Sequence, residues 1–185
     1  TMEQQYTTLT KDINNIDNMD AIVYAYIKSR MNYKTSIADN VTEKEISEKL
    51  GISLSTVKRI VSRIKNNKNL IDKVVINNVI AERSYKTYNK YYMAKCNENF
   101  FYIYNSFFND DMNIAKASER TKLKNFLLKL KAICKKETNK YISESPHLGR
   151  LNKTELSKKL GIDAKTLNKY LEMAVNAGQI KYITN

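Results

Sequence analysis

The chain has 185 residues, of which 42% are hydrophobic and 28% charged, proportions that suit one large globular domain or two small ones. Its formal net charge of +13 favours a polyanionic partner such as DNA, RNA or an acidic membrane surface, although a lysine-rich surface can also serve only to keep a protein in solution. No stretch approaches the roughly eighteen consecutive apolar residues of a membrane span, and no secretory leader is evident, so we expect a cytoplasmic protein with no membrane partner.

The first 17 residues are polar with scattered apolar positions, and they predict a flexible N-terminal arm. An ordered strand or a contact in a dimer stays open for this segment. A helix is expected to follow, capped by Asp17 or Asn18 and running to about Asn32. Its apolar positions are Ile22, Val23, Tyr26, Ile27 and Met31. A short strand is expected at residues 36–38.

Residues 42–63, TEKEISEKLGISLSTVKRIVSR, predict a helix-turn-helix. Thr42 and Glu45 have the spacing of a capping box, in which each side chain binds the other residue's backbone N–H. Gly51 supplies the left-handed residue that ends the first helix, and Ser53 can cap the second. Ile52 should fill the angle between the helices. The second helix then has one apolar stripe, formed by Val57, Ile60, Val61 and Ile64.

The opposite face of that second helix carries the residue types that read bases and hold phosphates. These residues are Ser55, Thr56, Lys58, Arg59, Ser62 and Arg63.

The same pattern returns at Asn152, where the chain reads NKTELSKKLGIDAKTLNKY. Aligned without gaps, residues 42–60 and 152–170 share seven identities in nineteen positions. The shared residues are Glu45/Glu155, Ser47/Ser157, Lys49/Lys159, Leu50/Leu160, Gly51/Gly161, Ile52/Ile162 and Thr56/Thr166. Two copies are too few for a solenoid, so the repeat predicts two similar domains. Two helical hairpins that only pack together are the alternative.

Residues 70–95 are rich in β-branched and aromatic residues and predict a β-hairpin. Helix, short strand, two helices and hairpin follow one another in residues 18–95, and in this order the segment resembles a winged-helix DNA-binding domain. The resemblance implies that the second helix of the helix-turn-helix enters the major groove and that the hairpin, the wing, touches the backbone or the minor groove.

The segment NENFFYIYNSFFND is strongly aromatic, and residues 100–104 predict a strand buried on both faces. A platform on which single-stranded bases stack is the alternative. A helix from Ser118 to about Lys136 follows, with an apolar stripe of Leu123, Phe126, Leu127, Leu130, Ile133 and Cys134. Its basic residues are expected to form a solvated face rather than to contact phosphates, and they are Arg120, Lys122, Lys124, Lys129, Lys131, Lys135 and Lys136.

The remaining residues predict a short strand at 141–142, a loop, the second helix-turn-helix at 152–177 and a strand at 179–184 after Gly178. That strand would begin a second wing that is incomplete, or the chain is truncated. The fold class expected is therefore mainly α with small β-hairpins (α+β). Residues 1–17 would be the arm, 18–95 the first winged-helix domain and 96–185 the second, with pseudo-twofold character.

Enzymatic chemistry is not expected. His147 is the single histidine, Cys96 and Cys134 have no metal-ligand or redox spacing, and the four glycines are all separate. The thirteen tyrosines have no evident activating partner. We therefore predict no catalytic residue, no metal site, no cofactor and no small-molecule ligand.

The function predicted is sequence-specific binding to double-stranded DNA. In the second copy the residues expected to read bases are Lys165, Thr166, Asn168 and Lys169. In the first copy they lie on the polar face of the second helix described above. Arg59 can bind guanine, and Asn168 adenine, through two hydrogen bonds each. Phosphate contacts are expected from Lys44, Lys86, Lys90, Arg150 and Lys153.

Two biological roles fit this function: a transcription regulator, or a replication initiator of a bacterial plasmid, phage or mobile element. The second rests on a loose resemblance, since two winged helices in one chain are similar to the initiators of iteron plasmids. A protein-interaction or dimerisation module with only non-specific DNA affinity is the alternative. The sequence leaves a homodimer open.

Overall fold

The computed structural model describes residues 5–16, 19–81, 84–96, 98–134 and 152–181, with the backbone alone at 77–81 and 84–87. These residues form a mixed α+β fold, as expected. The helices are α1 (Asp20–Ser29), α2 (Glu43–Leu50), α3 (Leu54–Ile64), α4 (Ala117–Ala132), α5 (Lys153–Leu160) and α6 (Ala164–Asn176). The strands are β1 (Tyr6–Thr10), β2 (Ile37–Val41), β3 (Ile71–Ala81), β4 (Ser84–Met93) and β5 (Phe100–Tyr104). Two 3₁₀ turns, Lys11–Asn15 and Asn105–Asn109, follow β1 and β5.

The order of elements predicted for residues 18–95 is confirmed. Helix α1 is followed by β2, then by α2 and α3, and then by the long hairpin β3–β4. The three strands form one antiparallel sheet in the order β2-β4-β3, so β4 lies in the middle. The sheet therefore joins the strand before the helix-turn-helix to the hairpin after it.

Helix α1 lies at the centre of this half of the molecule. Residues 21–27 are all buried, since apolar side chains surround the helix instead of following one stripe. The helix begins at Asp20 with Met19 as its N-terminal flanking residue, and the predicted cap at Asp17 or Asn18 lies outside the described residues. The N–H of Ile22, in the first turn, donates to Asn125 Oδ1 of α4 at 3.1 Å.

The predicted flexible arm at 1–17 is wrong for residues 6–15. Tyr6–Thr10 form β1, which pairs antiparallel with β5, and the 3₁₀ turn that follows is capped by Thr10. Leu9 and Ile13 are fully buried. The segment is ordered because its scattered apolar residues enter the first core and its backbone finds a partner strand about 95 residues away.

Strand β5 is buried on one face only, which corrects the expectation of burial on both. Phe101 and Ile103 face the core, whereas Tyr102 and Tyr104 are exposed. Both inward residues belong to the same core as α1, α2 and α3. The first core therefore includes residues from both sides of the predicted domain boundary at residues 95/96.

Helix α4 joins the two hydrophobic cores. Leu128 and Ala132 pack in the first core, with α1, α2 and α3. Leu123, Phe126 and Leu127 pack in the second core, with α5 and α6. The expectation of a single apolar stripe and a solvated basic face is wrong at Lys124, which is 5% exposed and donates from Nζ to Phe108 O at 3.0 Å.

The two helices predicted for the second helix-turn-helix, α5 and α6, are confirmed, and they pack against α4. The buried residues of this motif in the second core are Leu156, Leu160, Leu167, Leu171 and Ala174. Residues 179–181 of the predicted second-wing strand are not in a strand, and residues 182–184 lie outside the described part, as does the strand expected at 141–142. A second wing is therefore not observed in the described residues.

Gly51 and Gly161 offer a matched test of the α2–α4 contact. Both have left-handed φ, +64° and +66°, but a Cβ at Gly51 would clash with the Ala117 Cβ, whereas a Cβ at Gly161 would meet nothing within 4 Å. Gly161→Ala should cost about 1–2 kcal/mol from backbone strain alone. Gly51→Ala should cost about 1–3 kcal/mol more, because α4 must also move. Urea unfolding measures both, and equal losses would contradict the tight contact.

Lys124 should make the stability of the fold depend on pH. Burial lowers the pKa of Lys124 from the ordinary 10.5 to about 8. The negative charge of Asp110 opposes this shift, whereas the positive charges of Arg120 and Lys49 act in the same direction as burial. Between these values the unfolded chain holds the proton and the folded chain does not. The contribution of Lys124 to the free energy of unfolding should therefore rise as the pH rises from about 8 to 10.5, by at most about 1.4 kcal/mol for each pH unit between these two values.

Lys124→Met should remove this part of the rise, measured by urea unfolding across the pH range. Lys122→Met is the control, since Lys122 is an exposed neighbour on the same helix. If both variants keep the wild-type pH profile, Lys124 is not the titrating group.

Candidate nucleic-acid interface

The two helix-turn-helix copies are built by the same local interactions. In the first, Thr42 Oγ1 accepts from the Glu45 N–H at 2.9 Å, Gly51 ends α2, and Ser53 Oγ accepts from the Thr56 N–H at 3.3 Å. In the second, Asn152 caps α5, Gly161 ends it, and Asp163 Oδ1 accepts from the Thr166 N–H at 2.7 Å. The hydrogen bond from the Thr166 backbone N–H lowers the pKa of the Asp163 carboxyl group. The predicted caps Thr42 and Ser53 and the two glycine turns are confirmed.

Glu45 differs from its predicted role in a capping box. Its carboxylate accepts hydrogen bonds from Tyr26 of α1 and from Arg30, just after α1. The side chain therefore connects α2 to α1. The sequence suggested a local bond because the Thr-x-x-Glu spacing carries no information about a tertiary partner.

Helix α3 presents its predicted face to solvent. Ser55, Lys58, Arg59 and Ser62 are exposed, and Thr56 is half-buried. Arg59 Nη2 donates to Thr56 Oγ1 at 3.2 Å, and the hydroxyls of Thr56 and Ser53 lie 2.7 Å apart. The guanidinium is thus held along the start of the helix, with further N–H groups available to an acceptor outside.

Arg63 is on the same helix but forms a structural ion pair. Its Nη2 and Nε donate to the two carboxylate oxygens of Asp20 at 2.8 and 3.1 Å. The Asp20 side chain is 7% exposed and that of Arg63 46% exposed. This pair joins α3 to the start of α1 and raises the pKa of Arg63. The contact of Arg63 with DNA stays a prediction, beside this observed role.

Helix α6 presents a second exposed face. Lys165, Asn168 and Lys169 are exposed, and Thr166 is half-buried. Lys153 Nζ of α5 donates to Asn168 Oδ1 at 3.0 Å. Adenine readout by an asparagine uses the same oxygen as acceptor, so Lys153 would have to move to a phosphate when Asn168 reads a base.

The expected phosphate contacts are only partly described. Lys44 is exposed and lies 3.9 Å from Glu48, one helical turn away. Lys90 is half-buried on β4, and its Nζ lies 5.9 Å from the centre of the Tyr92 ring. The side chain of Lys86 and all of Arg150 lie outside the described residues.

Lys73 of β3 was not among the expected contact residues, and its Nζ lies 4.4 Å from the centre of the Tyr92 ring. It joins Lys90 on the outer face of the three-stranded sheet, since Lys73 pairs with Tyr92 in the β3–β4 register. Side chains alternate between the two faces of a strand, so the strand register would have been needed to place Lys73 and Lys90 on the same face.

In the described part of the chain, no three His, Cys, Asp or Glu residues are grouped to hold a metal. His147 lies outside it. No helix of the described part is long and apolar enough to cross a membrane. Comparison with protein-family models, curated proteins and solved structures gave no match to this chain.

Arg63 and Arg59 should differ in their effect on folding. Arg63→Ala leaves the buried Asp20 carboxylate without its partner. Hydrogen bonds to charged groups contribute about 1.5–3 kcal/mol to stability. Because solvent surrounds part of Arg63, we expect the free energy of unfolding to fall by about 1–2 kcal/mol. Arg59→Ala should change stability by less than about 0.5 kcal/mol. Urea unfolding compares them, and a destabilisation of equal size would refute the structural role of the Arg63–Asp20 pair.

Proposed function

We propose that this protein binds double-stranded DNA sequence-specifically through α3 and α6, the second helices of its two helix-turn-helix motifs. The observation that carries the proposal is the repeated helix–glycine–helix unit with side-chain caps at the same positions, in which each second helix buries its apolar stripe and exposes basic, hydroxyl and amide side chains. In the first half, the sheet β2-β4-β3 supports a winged-helix interpretation with β3–β4 as the wing.

Charge supports a nucleic-acid partner. The chain carries 32 lysines and arginines against 19 acidic residues. On α3 the exposed charged residues are Lys58, Arg59 and Arg63, all basic, of which Arg63 is paired with Asp20, and α6 exposes Lys165 and Lys169 together with Glu172. Positive helix faces of this size suit the major groove, where lysine and arginine neutralise phosphates and contact guanine.

The two faces support recognition of two different half-sites. Lys58 of the first copy corresponds to Asn168 of the second, and Ser55 corresponds to Lys165. Both cores include residues of α4, so we propose that α3 and α6 engage one duplex together. Transcription regulation and replication initiation both require such binding, and both remain within the proposal.

Binding should weaken steeply with salt, because each phosphate contact releases counterions. Fluorescence anisotropy with a labelled duplex should show that the affinity falls about tenfold or more between about 50 and 200 mM salt. A loss of this size is expected even if the protein contacts only a few phosphates. A flat salt response would contradict DNA binding and favour a protein-interaction module.

Arg59→Ala should weaken binding by about 1–3 kcal/mol on a duplex selected from a random library by the wild-type chain, and much less on a duplex of random sequence, because a base contact is lost. Lys122→Ala is the matched control, since Lys122 is an exposed lysine of α4 that belongs to neither α3 nor α6. The same anisotropy assay compares the two variants. An equal effect of both would remove Arg59 from the base readers.

A further inference from the structure

The arginine side chains in the described part of the chain differ in the acceptor that holds them. Arg30 and Arg63 donate to carboxylates, and Arg120 donates to two main-chain carbonyl oxygens. Arg59 donates instead to a side-chain hydroxyl, Thr56 Oγ1, at 3.2 Å. No carboxylate in the described residues pairs with Arg59, which is exposed on α3. Its positive charge is therefore left for an acceptor outside the chain.

The hydroxyl that holds Arg59 is itself fixed. Thr56 Oγ1 lies 2.7 Å from Ser53 Oγ, and either hydroxyl can supply the proton of this bond. Ser53 Oγ also accepts from the Thr56 backbone N–H at 3.3 Å, which ties the pair to the first turn of α3. Threonine is β-branched and is half-buried at this position, so its side chain has few rotamers. Thr56 therefore offers Arg59 an acceptor at a defined place.

The bond between Arg59 and Thr56 leaves the other N–H groups of the guanidinium without an acceptor in the described residues. A guanidinium carries its N–H groups in a rigid planar fork. Guanine offers two acceptors, O6 and N7, to such a fork in the major groove. A long exposed side chain loses rotamer freedom when it binds, and this loss is smaller if the side chain is already ordered. Holding Arg59 through one N–H group thus favours the binding of a guanine through the others.

The second copy has the same threonine without an arginine partner. Thr166 corresponds to Thr56, but Lys169 stands where the first copy has Arg59. Lys169 Nζ lies 5.9 Å from the centre of the Tyr170 ring, and in the described residues no hydrogen bond joins Lys169 to Thr166. The threonine at this position therefore holds a candidate base reader in α3 but not in α6.

We propose that Thr56 is a positioning residue, whose hydroxyl orients the Arg59 guanidinium toward the two acceptors of a guanine without itself contacting a base. This inference rests on the proposed function and deepens it. The role differs from the direct base contact that the sequence suggested for Thr56. Discrimination at one base pair then depends on a residue that does not touch that base pair.

The test measures, by fluorescence anisotropy, binding to the duplex that the wild-type chain selects from a random library and to the same duplex with single base pairs replaced. Arg59→Ala identifies the guanine position as the one where replacement no longer weakens binding. Thr56→Val removes the hydroxyl and keeps the shape of the side chain, so the preference for guanine at this position should fall by about two- to tenfold. Thr56→Ser keeps the hydroxyl and should keep the preference. Thr166→Val is the matched control in the second copy and should leave this preference unchanged.

In an Arg59→Ala chain, Thr56→Val should have no further effect on any base pair, because Thr56 acts through Arg59. A further loss there would show that Thr56 contacts DNA itself and would overturn the proposal. A guanine preference that Thr56→Val leaves intact, that Thr56→Ser also loses, or that Thr166→Val reduces equally would overturn it as well. In each of these outcomes the effect of Arg59→Ala still supports the proposed DNA binding.

Two outcomes for the wild-type chain separate this proposal from the proposed function. A selected sequence in which Arg59→Ala relaxes no guanine preference would overturn the role of Thr56 and leave sequence-specific binding in place. A wild-type chain with no base preference would refute the proposed function, and this proposal with it. Thermal melting confirms that each variant is folded.

Discussion

The arrangement of the molecule depends on the burial of α4 between two hydrophobic cores. At its start, Ala117 packs so closely on Gly51 that only a residue without a side chain fits there. One turn later the Thr121 hydroxyl donates to Leu50 O, which would otherwise be a free carbonyl at the end of α2. Asn125 then accepts from an N–H at the start of α1. Three successive turns of α4 thus complete the ends of two other helices.

The other side of α4 carries the second helix-turn-helix. The rings of Phe126 and Tyr170 stack with centres 5.2 Å apart, and Leu123 and Leu127 lie in the core with α5 and α6. One helix therefore contacts both helix-turn-helix units. This gives a physical reason for the proposal that α3 and α6 act together, since a shared packed helix restricts their relative motion more than a flexible linker would.

The local structure of the two repeats could be predicted from the sequence because its determinants are close in the chain. A cap such as Ser53, a left-handed glycine such as Gly51 and an apolar stripe act within a few residues. Pairings between distant segments could not be predicted. The β1–β5 register joins residues about 95 apart, and Asp20, 43 positions from Arg63, gave no sequence signal of that ion pair.

The burial of polar residues also could not be predicted from the sequence. Lys124 lies off the predicted apolar stripe of α4, so the sequence indicated solvent exposure for it, and it indicated no role for the neighbouring Asn125. Each is buried because it finds a specific acceptor or donor, Phe108 O for the lysine and the Ile22 N–H for the asparagine. Among the candidate interface residues, the exposed faces of α3 and α6 followed from periodicity, whereas the engagement of Asn168 by Lys153 required the packing of α5 on α6.

Selection of bound duplexes from a random library by the wild-type chain tests directly whether α3 and α6 read one duplex in an arrangement fixed by α4. Such an arrangement predicts two enriched half-sites of different sequence at one constant spacing, because the distance between the two helices is set by packing. Enrichment of no sequence, or of two half-sites at variable spacing, would contradict it.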